Sequence, residues 1–362
     1  MDEREERLAT IYDVARKAGV SPKTVSRVMN GDAPVNVRTR DAVKAAMGEL
    51  GYVPSRAARA MRSNKTGLVG LITGAISTSP SSPESSGLPD LIIVQGIQRV
   101  LAEAGLTLLI SDTGGDPAKI GELTRTFAQH RVEGLIYVAD YHREVVLPDS
   151  ARGETMILVN CFDKTGTPCV LPDDRLGQRA LVARLIEAGH RRIGFLTLPE
   201  DLVACGLRNA GYRDALEEAG IAYDPALVVA AGLHHSGPRE NVLIGEAIDR
   251  MMQLEEPPTV LCCGNDRMAL QVYGILRSRG IAVPDDISVA GFDDYKLISE
   301  TLYPPLTTAV LPYQAMGETA ARMLLQRLRT EGPVEPDSPP LISGPVVWRQ
   351  SVTVRDERAS AG

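Results

Sequence analysis

From Gly67 to Asp293 the sequence repeats one rhythm: a short apolar run, an amphipathic stretch ending in glycine, then another apolar run. LVGLI, LTLLI, GLIYV, MILVN, RIGFL, TVLCC and ISVAGF are nearly unbroken by polar residues. A strand with one face in water would alternate, so unbroken runs mark parallel strands covered on both faces. The stretches between them close on Gly105, Gly189, Gly220 and Gly280 in LAEAG, LIEAG, LEEAG and LRSRG, where glycine ends a helix in the left-handed conformation. Strands alternating with helices predict a doubly wound α/β architecture. About 280 residues of it exceed one ordinary core and predict two lobes.

The first 65 residues have another texture. They carry 13 basic against 8 acidic side chains, a net +5, while the remainder is −12. Four of those eight acids lie in the first six residues, so Arg7 to Lys65 is strongly basic. A basic head on an acidic body is the electrostatic footprint of a DNA-binding module joined to something else. Thr10 to Ala18 reads as a helix with Thr10 as N-cap and Ile11, Val14, Ala15 and Ala18 on one face. Gly19 ends it. Ser21 caps a second helix with Pro22 at its first position, where the missing N–H costs nothing. Val25, Val28 and Met29 are its apolar stripe, and Asn30-Gly31 stops it. Asn36 caps a third, with Val43, Met47 and Leu50 inward. Three short helices with a glycine turn after the first form a helix-turn-helix unit. SRAARAMRSNK follows Pro54; it is too short to be helical alone in water and is expected to order only against a partner.

Several classes are disfavoured. No apolar run approaches the eighteen or so residues of a membrane span. MDEREERLAT lacks the basic and apolar regions of a secretory signal, so a cytoplasmic location is expected. The five cysteines (Cys161, Cys169, Cys205, Cys262, Cys263) are odd in number and never spaced C-x-x-C, which argues against a disulfide framework or zinc site; Cys262 and Cys263 in TVLCCG read as small residues of a buried strand. No G-x-S-x-G elbow, Walker loop or H-E-x-x-H occurs, so no enzyme and no cofactor are expected. Ile76 to Asp90 is a Ser/Pro-rich patch, read as a surface loop. The end of the chain holds the strand-like PVVWRQSVTV and no leucine heptads, so a dimer rather than a tetramer is expected.

The run TIYDVARKAGVSPKTVSRVMNGDAPVNVRTRDAVKAAMGELGYVPSRAARAMRS resembles the head of the lactose-repressor (LacI/GalR) family over its whole length. AGHRRIGFL, GLRNAGYRDAL, GNDRMAL, VPDDISVAGFDD and YPPLTT resemble landmarks of that family's sensor core, so the likeness spans roughly residues 8 to 350. It implies a helix-turn-helix domain at 8–53, a hinge helix and linker at 54–66, and a two-lobed core at 67–350 of the periplasmic-binding-protein type. The expected N-lobe is 67–168 with 310–338, and the C-lobe 169–308 with 339–350. The expected function is that of a sequence-specific repressor controlled by a small ligand, a sugar or sugar derivative. It would be a homodimer on a pseudo-palindromic double-stranded DNA operator, with no membrane partner. A sugar-binding carrier protein is the rival reading.

In a helix-turn-helix the second helix enters the major groove and its first residues meet base edges. Here those are Pro22 and Lys23, with Arg27 one turn on; Arg and Lys suit guanine O6 and N7. Thr10, Tyr12, Ser21, Thr24, Ser26 and Asn30 are candidates for phosphate contact. Without the family likeness, Lys23 and Arg27 read equally well as solvated helix charges. The likeness assigns Ser55–Arg62 to a hinge helix that pairs across a dimer, with Ala58 allowing close approach and Met61, where the family has leucine, as the apolar wedge in the minor groove. It also implies Asn160, Arg208, Asn265 and Asp293 as ligand contacts near the carboxyl ends of strands, where open α/β sheets bind ligands. Two readings stand for Asp266, a helix cap or a ligand contact, and two for His234-His235, a solvated loop or the cleft mouth. Ala204 and Leu311 replace polar residues found in many relatives, which implies a different mode of ligand contact.

Overall fold

The computed structural model describes residues 9–30, 34–52, 65–74, 76, 88–151, 153–233, 238–330 and 338–355. The chain divides into two compact units, residues 1–66 and 67–362.

The first unit holds α1 (Ile11–Ala18), α2 (Pro22–Asn30) and α3 (Val37–Glu49). Thr10 and Asp13 close a reciprocal capping box at α1: Asp13 N–H donates to Thr10 Oγ1 at 3.4 Å, and Thr10 N–H donates to Asp13 Oδ2 at 2.9 Å. Gly19 ends α1 at φ 63°, a conformation other residues adopt only at a cost. Asn36 caps α3, accepting from Arg38 N–H at 2.9 Å. Val14, Val25 and Val43, one from each helix, are fully buried. Ile11, Ala18, Val28, Met29, Met47 and Leu50 pack around them, so every apolar stripe of the head meets in one small core.

The second unit contains two six-stranded sheets. The first begins with β1 (Leu68–Thr73), α4 (Leu88–Glu103), β2 (Thr107–Asp112), α5 (Ile120–Gln129), β3 (Gly134–Glu144), β4 (Met156–Phe162) and β5 (Cys169–Pro172). The second takes α6 (Asp174–Glu187), β6 (Ile193–Thr197), α7 (Val203–Glu218), β7 (Val228–Ala230), α8 (Pro238–Met252), β8 (Val260–Cys263), α9 (Asp266–Ser278), β9 (Ser288–Asp293), α10 (Lys296–Ser299) and β10 (Thr307–Val310). The chain then returns through α11 (Tyr313–Arg329) and ends with β11 (Leu341–Ile342) and β12 (Val346–Val347). The strand orders are β11-β5-β4-β3-β1-β2 and β12-β10-β9-β8-β6-β7. Within each lobe the first strand lies between the second and third, the doubly wound pattern whose order reverses at a switch point. All pairings are parallel except β10 with β12.

Strand pairing moves the lobe boundaries from those expected. Cys169 pairs with Leu158, and Leu341 with Leu171. Residues 169–172 and 341–342 thus belong to the N-lobe sheet, not the C-lobe, while Val310 completes a C-lobe strand. The chain crosses between lobes just after Pro172, between Val310 and Tyr313, and between Ile342 and Val346. Backbone bonds run past 350: Arg355 N–H donates to Ala188 O at 2.8 Å. PVVWRQSVTV forms only the two-residue ladder strand at Val346–Val347. Each sheet is sandwiched between helices, giving two apolar clusters per lobe. The five cysteines are buried and free. No helix among the described residues is long and apolar enough to cross a membrane.

Candidate functional site

On the head, Lys23 and Arg27 are exposed along one side of α2 while Val25 faces the core. Neither forms an ion pair among the described residues. Tyr12 is 67% exposed. The hydroxyls of Thr10, Ser21 and Thr24 have local duties. Thr10 Oγ1 donates to Asp13 Oδ2 at 2.6 Å, and Ser21 Oγ accepts from Thr24 N–H at 3.1 Å and lies 2.9 Å from Thr24 Oγ1. They start helices, whatever else they touch. Pro22 and Ser26 are half-buried. The Asn30 side chain, and Ala58 and Met61 of the expected hinge, lie outside the described residues.

In the core, Asn160, Asn265 and Asp293 stand at or just beyond the carboxyl ends of strands. Asn160 near the end of β4 and Asp293 at the end of β9 hold equivalent places in the two strand orders. Both have left-handed backbones, at φ 61° and 125°, which for a residue with a Cβ is strain stored at a strand end. Asn160 is buried, and its Nδ2 donates to Ala139 O at 3.1 Å.

Arg208 is not at a strand end, as expected, but in the second turn of α7. It is almost fully buried. Nε donates to Asp174 Oδ1 at 2.8 Å, Nη1 donates to the Gly264 carbonyl, and Nη2 faces Asp293 Oδ1 at 4.0 Å. The guanidinium lies 3.7 Å from the centroid of the Phe292 ring. A desolvated cation is tolerable only with such partners. Burial alone would raise the Asp174 carboxyl, but Arg208 and His142 outweigh it and hold the group below its ordinary range. Burial raises Asp293, with Arg208 opposing and Asp174 adding to the rise. Burial and the neighbouring Asp293 raise Asp266. Paired with Asp174 and faced by Asp293, the guanidinium has its charge matched, which leaves little net attraction for an anion and suits hydroxyl groups, which both donate and accept.

Asn265, not Asp266, caps α9: its Oδ1 accepts from Met268 N–H at 2.8 Å. That leaves the Nδ2 donor for other partners. Asp266 is the first helical residue, and its carboxyl accepts from Thr308 Oγ1 at 2.7 Å and Tyr295 N–H at 2.8 Å. Asp294 is structural, bound by Arg349 Nη2 and Lys296 Nζ at 2.7 Å and by Ser299 Oγ at 2.9 Å. Ala204 and Leu311 are buried apolar residues. His234 lies outside the described residues. Sequence reasoning missed Asp174 and His142. Asp174 had a local signal, the Asp173-Asp174 pair opening α6, whereas His142 had none.

Residues 10–55 match the family described as bacterial regulatory proteins, lacI family, and residues 182–352 match a periplasmic binding protein-like domain. The sucrose operon repressor of Escherichia coli is 33% identical over 325 residues, covering 88% of this chain and 94% of that protein. The ribose operon repressor of Escherichia coli strain K12 is 34% identical over 327 residues, covering 89% and 93%. Among solved structures, a lac repressor dimer bound to operator and the anti-inducer ONPF is 26% identical with a TM-score of 0.75, covering 96% of this chain and 100% of that one. A complex of the regulator CelR with cellobiose is 30% identical, with a TM-score of 0.63 and coverage of 95% and 99%. With a three-helix head and two doubly wound lobes matched across nearly their whole length, the chain belongs to the LacI family of bacterial regulatory proteins.

Proposed function

We propose that this chain is a homodimeric repressor of carbohydrate-utilisation genes whose affinity for a pseudo-palindromic operator is set by a neutral sugar held between the core lobes. The observation that carries the reading is Arg208, a buried guanidinium at the carboxyl ends of the C-lobe strands, neutralised by Asp174 and flanked by Asp293. With its charge already matched, it has directional donors to offer and little net field for a phosphate. Asp293 and the free Nδ2 of Asn265 supply an acceptor and a donor beside it, and Asn160 belongs to the N-lobe wall. The names of the relatives, which speak of sucrose, ribose and cellobiose, support the sugar class. On the head, Lys23 and Arg27 read base edges, and Tyr12, Ser26 and the helix-starting hydroxyls sit against phosphates. A ligand alters operator affinity only through unequal affinity for two states of the core.

The test is a thermal-shift panel of sucrose, ribose, cellobiose and glucose 6-phosphate on the full chain, since a bound ligand raises apparent stability by mass action. A neutral sugar that raises the melting temperature of the parent, but not of Arg208→Met, supports the site. A shift with the phosphate alone, or an undiminished shift in Arg208→Met, refutes it.

A further inference from the structure

The Arg208 chemistry belongs to the C-lobe, yet one element of the other lobe reaches it. β3 is 11 residues long, against six for β1 and seven for β4. Its register with β4 shifts between Val138 and Arg143. Such irregularities re-aim side chains, and here the strand runs on to pack against α7 of the C-lobe. His142 lies on that extension and is 6% exposed. Its Nδ1 is 2.9 Å from Asp174 Oδ2, and the edge of its ring meets Phe162, centroids 5.9 Å apart at 83°. Asp174, the first residue of α6, therefore has one oxygen held by the N-lobe and the other by Arg208 Nε.

The torsion that turns a carboxyl group is broad, with no sharp preferred angle. A single partner on Oδ1 leaves the group free to rock; a second on Oδ2, from the opposite side, fixes its plane. The plane of the carboxylate in turn fixes the direction of Arg208 Nε, and so the edge the guanidinium presents beside Asp293. Removing the imidazole would strand a buried, charged acceptor, which is costlier than the hydrogen bond itself.

We propose that His142 is a positioning residue: by clamping Asp174 from the N-lobe it orients Arg208 in the C-lobe, so that the ligand grip is assembled only when the lobes meet. The inference rests on Arg208 being a ligand residue. It differs from that reading in giving a residue outside the C-lobe a share in the grip.

The experiment compares the full chain with His142→Leu, His142→Asn and His142→Gln. Asn can place an N–H where the imidazole Nδ1 stands; Gln carries its amide one carbon farther, and Leu has none. Hydrogen exchange without ligand is followed for peptides covering 139–144 in the N-lobe and 174–178 and 204–210 in the C-lobe. A hydrogen bond to a charged group corresponds to an increase of about tenfold or more in local opening when lost. Leu and Gln are expected to raise exchange by that much in both lobes, with Asn restoring it. Exchange raised only in 139–144, or equal behaviour of Asn and Gln, overturns the proposal; the Asn–Gln comparison decides should His142→Leu not fold. In parallel, sucrose, ribose and cellobiose are tested by thermal shift. If none moves the parent protein, the sugar reading fails and exchange alone judges the clamp. If one moves the parent and His142→Leu equally, the clamp fails and the sugar reading survives.

Discussion

Gly211 lies on α7 one turn beyond Arg208, where α7 crosses α6. A Cβ at this position would fall 2.1 Å from the Arg175 carbonyl oxygen and 3.0 Å from Arg179 N. Carbon and oxygen rest no closer than about 3.3 Å, so Gly211→Ala must part the two helices by roughly 1 Å. Both obstacles are backbone atoms of a packed helix and cannot swing aside. The same displacement stretches Arg208 Nε to Asp174 Oδ1, now 2.8 Å, beyond hydrogen-bonding range. It also loads the pairs Arg175–Asp214 and Arg179–Glu218, which tie the same helices together at the surface.

Overpacking costs about 1–3 kcal/mol, and disrupting a buried ion pair up to about 3–5 kcal/mol more. Alanine returns about 1 kcal/mol of helix propensity. With the pair fully disrupted the expected net loss is roughly 3–7 kcal/mol, read by urea denaturation of the full chain at pH 7, with loss of any sugar-induced thermal shift. Gly206→Ala, on the exposed side of the same helix with nothing within 4 Å of the added carbon, is the control. It should gain up to about 1 kcal/mol. Should Gly211→Ala match or exceed the parent in stability, propensity governs the site and the crossing argument is wrong.

Arg27→Ala should cost about 1–3 kcal/mol at the cognate operator and relax preference at one base pair per half-site; footprinting with unchanged selectivity would contradict its role as a base reader. His190 is buried between Thr259 Oγ1 at 2.8 Å and Thr353 O at 3.1 Å, and burial lowers it to about 4 despite the carbonyl. The unfolded chain takes up that proton near pH 6.5 and the folded chain only near 4, so this contribution is complete above about 6.5 and is lost as pH falls toward 4. Up to about 3 kcal/mol is involved, and a pH series of denaturation midpoints that is equally steep in His190→Gln would rule it out. Sedimentation at micromolar concentration should give a dimer; a stable monomer or tetramer would argue against the proposed assembly.

Why some of these residues were legible in the sequence and others were not follows from the range of the forces involved. The three helices of the head were legible because their signals are local: Thr10 accepts from an N–H three residues on, and Asn36 from one two residues on. The long strands were legible because six apolar residues in a row have few other solutions. Strands of two to four residues carry little pattern: β8 was legible from the unbroken run TVLCC, but β5, β7, β10, β11 and β12 were not. The lobe boundaries drifted for that reason: CVLP is a strand only because Met156–Phe162 already stands beside it. Arg208 and Asp174 show the limit most clearly. Without the family likeness, which singled out Arg208 but not its partner, an arginine in an amphipathic helix reads as solvent-facing, and an acid in a helical first turn as a dipole partner. They find each other across 34 residues because β5 ends at Pro172 and delivers α6 against α7. His142 is remoter still, since its place depends on a register shift that no periodicity announces. The site is therefore a product of the crossover: local rules make the helices, the sheet order brings them together, and only then does the guanidinium acquire a partner that lets it be buried.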